Sequence, residues 1–228
     1  MRSVTVTDFD LVIFDCDGVL VDSEPLANRV FAEQLARAGL VLPVGEVMKR
    51  FVGRTKAGCI ELAQQMLGRS LPPQFGEDWD KALFKALRSE LKPVEGILAL
   101  LAELDLPFCV ATNSSVERLQ IALETTGLAD YFEGRAFSAA SVPRPKPAPD
   151  LFLHAARSLH AQPARCAVIE DTPTGVRAAR AAGMAAFGFA GAPHSDAASL
   201  AAEGATVFHT MNHLAALLRH GRDGAERI

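Results

Sequence analysis

The chain has 228 residues, of which 49% are hydrophobic and 22% charged, and 23 basic against 27 acidic residues give a net charge of −4. This composition is too apolar for a disordered chain, and the small net charge argues against a broad surface for nucleic acid or an anionic membrane. No stretch approaches the roughly 20 apolar residues that a membrane-spanning helix needs. The cysteines show neither CxxC pairs nor a zinc-site spacing, which favours a reducing, cytoplasmic compartment. They are Cys16, Cys59, Cys109 and Cys166.

Five short apolar runs, each bounded by polar residues, predict strands that are buried on both faces. In chain order they are Leu11–Phe14, 107–111, 167–169, Ala185–Phe189 and Thr206–Phe208. Helical patterns lie between the later runs, at 116–124, 150–159 and 175–182. Strands that alternate with helices predict an α/β fold with a Rossmann-like parallel sheet.

The interval 23–91 breaks this alternation. It contains four helical patterns, at 26–38, 46–51, 58–67 and 79–91, with a loop at 68–76 and no convincing strand. An all-helical block that follows the first strand predicts a second, smaller domain. We therefore expect a catalytic core formed by 1–22 and 92–228, with an inserted helical domain at 23–91.

Polar residues with catalytic potential follow the predicted strands. They are Asp15 and Asp17 after the first strand, Thr112 and Asn113 after the second, Lys146 in the proline-rich loop 144–149, and Glu170 and Asp171 after the third. Ligands of open parallel sheets bind outside the carboxyl ends of the strands. We therefore expect these side chains to converge on one site.

The residue types at this site indicate phosphoryl transfer. Crowded carboxylates predict a cation, and hard oxygen ligands favour Mg²⁺, while Lys146 adds a fixed positive charge. A carboxylate such as Asp15 can attack phosphorus, and Asp17 can donate a proton to the leaving oxygen and later take one from water. The Thr112 hydroxyl and the Asn113 N–H are predicted to hold phosphate at a helix that begins at Ser114 with a capping box.

These residues resemble the motifs of the haloacid dehalogenase-like hydrolase superfamily. The run 15–23, Asp-Cys-Asp-Gly-Val-Leu-Val-Asp-Ser, resembles the first motif, Thr112 the second, Lys146 the third and the run 168–175 the fourth, in the family's order. The helical block is similar to the cap of the β-phosphoglucomutase and phosphoglycolate phosphatase-like branch. The resemblance covers most of the chain.

The resemblance implies roles for individual residues. Asp15 would be the nucleophile and Asp17 the acid and base. Mg²⁺ would be held by Asp15, the carbonyl of Asp17 and Asp171, with Glu170 bound directly or through water. The cap would close over a small substrate and exclude water.

The leading interpretation is a phosphatase that acts on a small phosphorylated metabolite, a sugar or sugar-acid phosphate such as 6-phosphogluconate. In the basic loop 53–56, Arg54 is the favoured contact for a distal carboxylate or phosphate of the substrate. Monomer and homodimer remain open.

A phosphosugar mutase is the main alternative. The mutase branch carries a histidine where this chain has Ala27 and a lysine where it has Ser115, and both differences weaken that interpretation. The placement of both acids after the first strand argues against a receiver-like signalling domain. The complete set of catalytic positions argues against a pseudoenzyme.

Overall fold

The computed structural model describes residues 9–52, 54–192 and 195–220. Their contacts form two compact units. One falls within Met1–Val21 and Lys92–Ile228, and the other within Asp22–Leu91. Among the described residues, no helix is both long enough and apolar enough to cross a bilayer.

The first unit is built on a six-stranded sheet in which every neighbouring pair of strands is parallel. The strands are β1 (Leu11–Phe14), β2 (Phe108–Thr112), β3 (Ala136–Ser138), β4 (Cys166–Glu170), β5 (Ala185–Phe189) and β6 (Thr206–Phe208). Their order is β3-β2-β1-β4-β5-β6. The predicted Rossmann-like α/β class is therefore confirmed.

In the described part of the chain, ten α-helices accompany the strands. They are α1 (Glu24–Arg37), α2 (Val44–Phe51), α3 (Lys56–Leu67), α4 (Phe75–Glu90), α5 (Ile97–Glu103), α6 (Val116–Thr125), α7 (Asp150–Ser158), α8 (Pro173–Ala181), α9 (Ala197–Ala202) and α10 (Met211–His220). Single turns of 3₁₀ helix occur at Ala129–Phe132, Ala139–Ser141 and Pro163–Arg165.

The centre of the sheet sets the position of the site. Strand β1 lies between β2 and β4, and Ile13 is in register with Cys109 on one side and Val168 on the other. All residues of these three strands are buried, because helices cover both faces of a parallel sheet. The chain order reverses at β1, and such switch points are where α/β sheets bind ligands.

The second unit contains only helices among its described residues, α1 to α4. Its core is a cluster of buried apolar side chains in which Phe31 stacks on Trp79 with 4.1 Å between ring centroids. The predicted loop at 68–76 ends earlier than expected, because α4 already begins at Phe75, a residue that packs into this cluster. Helix α3 is capped by Thr55, whose side chain accepts a hydrogen bond from the Gly58 N–H.

Candidate active site

The three central strands end side by side, and a polar side chain stands at or directly after the end of each. Asp15 follows β1 directly, and its N–H donates to the Ile169 carbonyl at 2.9 Å. Thr112 ends β2 and Glu170 ends β4. All three side chains belong to buried residues, so the sheet itself brings the predicted carboxylates and hydroxyl to one edge.

Lys146 is the buried cation of this site. Its Nζ donates to Asp15 Oδ1 at 2.6 Å, to Glu170 Oε1 at 2.7 Å and to the Ala111 carbonyl at 2.8 Å. It also lies 4.6 Å from the centre of the Phe152 ring. An ammonium group has three N–H donors, so these three acceptors fix its position completely.

The charges of the cluster do not balance. Burial opposes the charge on Lys146, but Asp15 and Glu170 outweigh it and raise the pKa of Lys146, which therefore stays protonated. Burial also raises the pKa of Asp15 to about 7, although Lys146 acts in the opposite direction. One ammonium thus serves two buried carboxylates, with the carboxylate of Asp171 beside them.

This donor set fits a divalent cation. One carboxylate oxygen from each of Asp15, Glu170 and Asp171 lies within 4.8 Å of the others. Three hard oxygen ligands and an excess of negative charge are what Mg²⁺ requires. The side chain of Asp17 is not part of this group, and its carbonyl as a ligand stays a prediction.

Two glycines leave the space that the carboxylates of Asp171 and Glu170 occupy. Gly18 has a φ of +82°, and a Cβ there would lie 1.9 Å from Asp171 Oδ2. A Cβ on Gly175 would lie 1.8 Å from the Glu170 carboxyl carbon. Only glycine fits at such distances, so both positions belong to the site although neither residue has a functional group.

Glu170 has a second partner that the sequence interpretation missed. The Thr172 hydroxyl donates to Glu170 Oε2 at 2.8 Å and also accepts from the Gly175 N–H at 3.1 Å, which caps α8. A threonine directly before a proline at a helix start is a recognisable cap signal. That signal was available in the sequence.

The side chain of Asn113 has a structural function that the sequence interpretation did not predict. Its amide donates to the Lys146 carbonyl at 3.1 Å, and its oxygen accepts from the Lys146 N–H at 3.0 Å. This reciprocal pair attaches the Lys146 loop to the end of β2. The contact of the Asn113 N–H with phosphate, like that of the Thr112 hydroxyl, stays a prediction.

The predicted helix start at Ser114 is wrong. Ser115 caps α6 by accepting from the Arg118 N–H at 3.2 Å, and the third helical residue is then Arg118 rather than the glutamate of a capping box. The Ser114 hydroxyl instead donates to Asp17 Oδ2 at 2.6 Å. A charged acceptor makes the stronger hydrogen bond. This explains why the Ser114 hydroxyl binds the Asp17 carboxylate while Ser115 caps the helix.

Arg118 is the second residue that the sequence interpretation missed. Its Nη2 lies 2.7 Å from Asp17 Oδ1. Arg118 and Asp17 lie 101 positions apart in the chain, so no local pattern of the sequence pointed to this pair.

Arg54 lies in the helical unit and is exposed. Its Nε donates to the Arg50 carbonyl at 2.8 Å. Lys56, which the sequence analysis placed in the same loop, begins α3 and is paired with Asp80, and Gly53 lies outside the described residues. The substrate contact of Arg54 stays a prediction.

Comparisons with known proteins relate this chain to a family of hydrolases and to two phosphatases. A family model of haloacid dehalogenase-like hydrolases matches residues 9–183. The chain is 32% identical over 187 residues to a 6-phosphogluconate phosphatase of Escherichia coli K12, covering 82% of this chain and 85% of that protein. It is also 32% identical over 178 residues to a fructose-1-phosphate phosphatase of the same organism, covering 76% of this chain and 92% of that protein.

A solved structure shows the same fold with an anion present. It is a HAD family hydrolase from Deinococcus radiodurans R1 with bound phosphate and sodium, 35% identical to this chain with a TM-score of 0.79. The alignment covers 91% of this chain and 94% of that one.

Proposed function

Since this chain belongs to the haloacid dehalogenase-like hydrolase family, we propose that it is a Mg²⁺-dependent phosphatase that hydrolyses a small phosphorylated metabolite through an aspartyl phosphate on Asp15. The enzyme class, phosphoric monoester hydrolase, follows from the family and its phosphatase relatives. The metal, the intermediate and the substrate class are what we propose. The observation that carries them is the buried cluster in which Lys146 binds Asp15 and Glu170.

The first half-reaction transfers the phosphoryl group to the enzyme. A carboxylate oxygen of Asp15 forms a bond to phosphorus while the bond from phosphorus to the ester oxygen breaks. The Asp17 carboxyl gives its proton to that leaving oxygen, which departs as an alcohol. Asp15 reacts as the carboxylate. The positive charge around it therefore determines the fraction of enzyme molecules in which Asp15 is ionised and able to attack.

The second half-reaction returns the enzyme to its starting state. Asp17, now a carboxylate, takes a proton from water, and the water oxygen attacks the phosphorus of the aspartyl phosphate. The bond from phosphorus to Asp15 breaks, and inorganic phosphate leaves.

The remaining residues supply charge and position. Mg²⁺ held by Asp15, Asp171, Glu170 and the Asp17 carbonyl would reduce the repulsion between the Asp15 carboxylate and the phosphate oxygens. Lys146 adds a second positive charge, and Asn113 holds its loop. Fixed charges of this kind lower the barrier because they need no rearrangement during the reaction.

We propose a sugar or sugar-acid phosphate as the substrate. Two relatives named for 6-phosphogluconate and fructose 1-phosphate support that class, and Arg54 is the proposed partner of a distal carboxylate or phosphate. A mutase is less supported, because Ser115 caps α6 at the position of the mutase lysine. A cytoplasmic location is part of the proposal, since all four cysteines are free thiols.

The test is Mg²⁺-dependent phosphate release across a panel of phosphorylated metabolites that includes sugar and sugar-acid phosphates. Asp15→Asn should lower turnover by roughly 10³-fold or more, because it removes the nucleophile at almost constant shape. The matched control is Asp10→Asn, which changes an exposed aspartate paired with Arg165 and should leave turnover unchanged. Near-normal release by Asp15→Asn would refute the mechanism, and isomerised sugar phosphates without release would favour the mutase.

A further inference from the structure

Both oxygens of the Asp17 carboxylate are held by residues about a hundred positions away in the chain. Ser114 Oγ donates to Oδ2 at 2.6 Å, and Arg118 Nη2 donates to Oδ1 at 2.7 Å. The Arg118 and Asp17 side chains are only 24% and 20% exposed. Neither donor takes part in the hydrogen bonds between Lys146 and its two carboxylates.

The two donors are themselves fixed by the start of α6. The Arg118 N–H donates to the Ser115 hydroxyl, so the arginine leaves the helix from its first turn. The carbonyl of Ser114 accepts from the Ser138 hydroxyl at 2.6 Å. The end of β2, the end of β3 and the start of α6 thus place the hydroxyl and the guanidinium in a defined relation.

Two donors on separate oxygens determine the orientation of a carboxylate. An aspartate has two side-chain torsions, and one hydrogen bond would leave the carboxylate free to turn about it. Proton transfer requires the acid to lie within hydrogen-bond reach of the leaving oxygen. A misplacement of about 1 Å in such a group costs up to roughly 10²-fold in rate.

We propose that Arg118, with Ser114, is a positioning residue that fixes the Asp17 carboxylate for proton transfer to the leaving group. Arg118 acts through Asp17 and does not act on the phosphate or the metal. The inference rests on the proposed function, in which Asp17 is the acid and base.

The first test compares two leaving groups. Nitrophenyl phosphate releases a stable phenolate that needs little help from an acid, whereas 6-phosphogluconate releases an alkoxide that needs the proton. Arg118→Gln should lower kcat on 6-phosphogluconate by about 10- to 100-fold with KM changed less than about threefold, and kcat on nitrophenyl phosphate by less than about threefold. Ser114→Ala should shift the same ratio in the same direction by a smaller factor.

Two further variants separate positioning from general damage. Arg118→Lys keeps a cationic donor and should recover most of the lost rate on 6-phosphogluconate. Arg177→Gln removes an exposed arginine paired with Glu203 and should change neither rate. Equal losses on both substrates in Arg118→Gln, or a rise in KM alone, would overturn the proposal.

A second measurement reads the orientation of Asp17 without turnover. In a crystal structure of Arg118→Gln, the Asp17 carboxylate should leave its position or occupy several, while Asp15 and Lys146 stay in place. An Asp17 carboxylate in the unchanged position would overturn the inference. A wild-type enzyme that releases no phosphate would instead refute the proposed function, so the two failures are distinguishable.

Discussion

In each unit, a cation among the described residues joins two carboxylates, and the distances between the charged atoms are nearly the same. In the α/β unit, Lys146 lies 2.6 Å from Asp15 and 2.7 Å from Glu170, and its side chain is 4% exposed. In the helical unit, Arg29 lies 2.9 Å from Glu33 and 2.8 Å from Glu90, and its side chain is 40% exposed. The distances between the charged atoms are alike, but the Lys146 side chain is shielded from solvent and the Arg29 side chain is not.

Exposure to solvent determines how much each group of charges contributes to stability. Exposed ion pairs contribute about 0–1 kcal/mol, because water already solvates the separate ions. Buried ions lose several kcal/mol of solvation, which their attraction recovers only in part. The Lys146 cluster therefore adds little net stability as a set of ion pairs, and its role in the proposed reaction accounts for its presence. The ion pairs of Arg29 add little to the stability of their helices.

The largest difference between the two groups should appear when each cation is removed. Lys146→Met leaves two buried carboxylates without their cation, and the free energy of unfolding should fall by about 3–5 kcal/mol together with loss of turnover. Arg29→Met should lower it by less than about 1 kcal/mol and preserve turnover. Urea unfolding in metal-free buffer measures both values. Similar losses in the two variants would contradict the contrast.

A glycine-to-alanine substitution in each unit tests how closely the neighbouring atoms pack against that position. Gly175→Ala places a methyl group where the Glu170 carboxylate lies, and it should cost about 1–3 kcal/mol of stability and reduce turnover. Gly45, in α2, has no atom within 4 Å of an added Cβ. Gly45→Ala should therefore stabilise the protein by about 0.5–1 kcal/mol, through helix propensity alone. Thermal unfolding of the two variants in parallel gives the comparison, and a stable, active Gly175→Ala would show that Glu170 can move without loss.

The pH dependence of stability should come from the buried group. Because burial raises the pKa of Asp15 from 3.8 to about 7, the folded metal-free protein binds a proton that the unfolded chain has lost. The contribution of Asp15 is thus complete below the unfolded pKa and is lost as the pH rises through about 7. Added Mg²⁺ should raise Tm more at about pH 8 than at about pH 5, because it binds the carboxylate. An equal shift at both values, or the same pH dependence in Asp15→Asn, would contradict this origin.

The smallest expected effect concerns Arg54 in the helical unit. Arg54→Gln should raise KM for 6-phosphogluconate by about tenfold, the value of one hydrogen bond to a charged group, and leave turnover of nitrophenyl phosphate unchanged. Steady-state kinetics on both substrates measures it. The neighbouring Arg50→Gln is the control, and equal effects of the two variants would remove Arg54 from the proposed substrate contacts.

The sequence predicted most clearly the strands that are buried throughout. Strands β1, β2 and β4 are continuous apolar runs because a parallel sheet is covered on both faces. Strand β5 was recognised in the same way, and the three-residue β6 was the weakest of the five predicted runs. Strand β3 was missed, since its three residues begin with an exposed alanine and end in a serine, which leaves no apolar run.

The sequence predicted the site residues that follow the ends of strands. It did not predict the contacts between residues that are far apart in the chain. Asp15, Lys146 and Glu170 come together as expected. The pair between Asn113 and the Lys146 backbone spans 33 positions, and that between Arg118 and Asp17 spans 101. Local patterns contain no information about such partners, because the packing of separate elements decides them.

Cys16 stands between Asp15 and Asp17 in the sequence and is buried. Burial raises the pKa of its thiol well above the usual value, and the charges of Asp17 and Asp15 raise it further. Oxidants attack the thiolate far more readily than the thiol. In the proposed mechanism the nucleophile is a carboxylate oxygen of Asp15, and the buried thiol of Cys16 is kept neutral, so oxidants that inactivate enzymes with a catalytic thiolate should leave the activity of this protein unchanged.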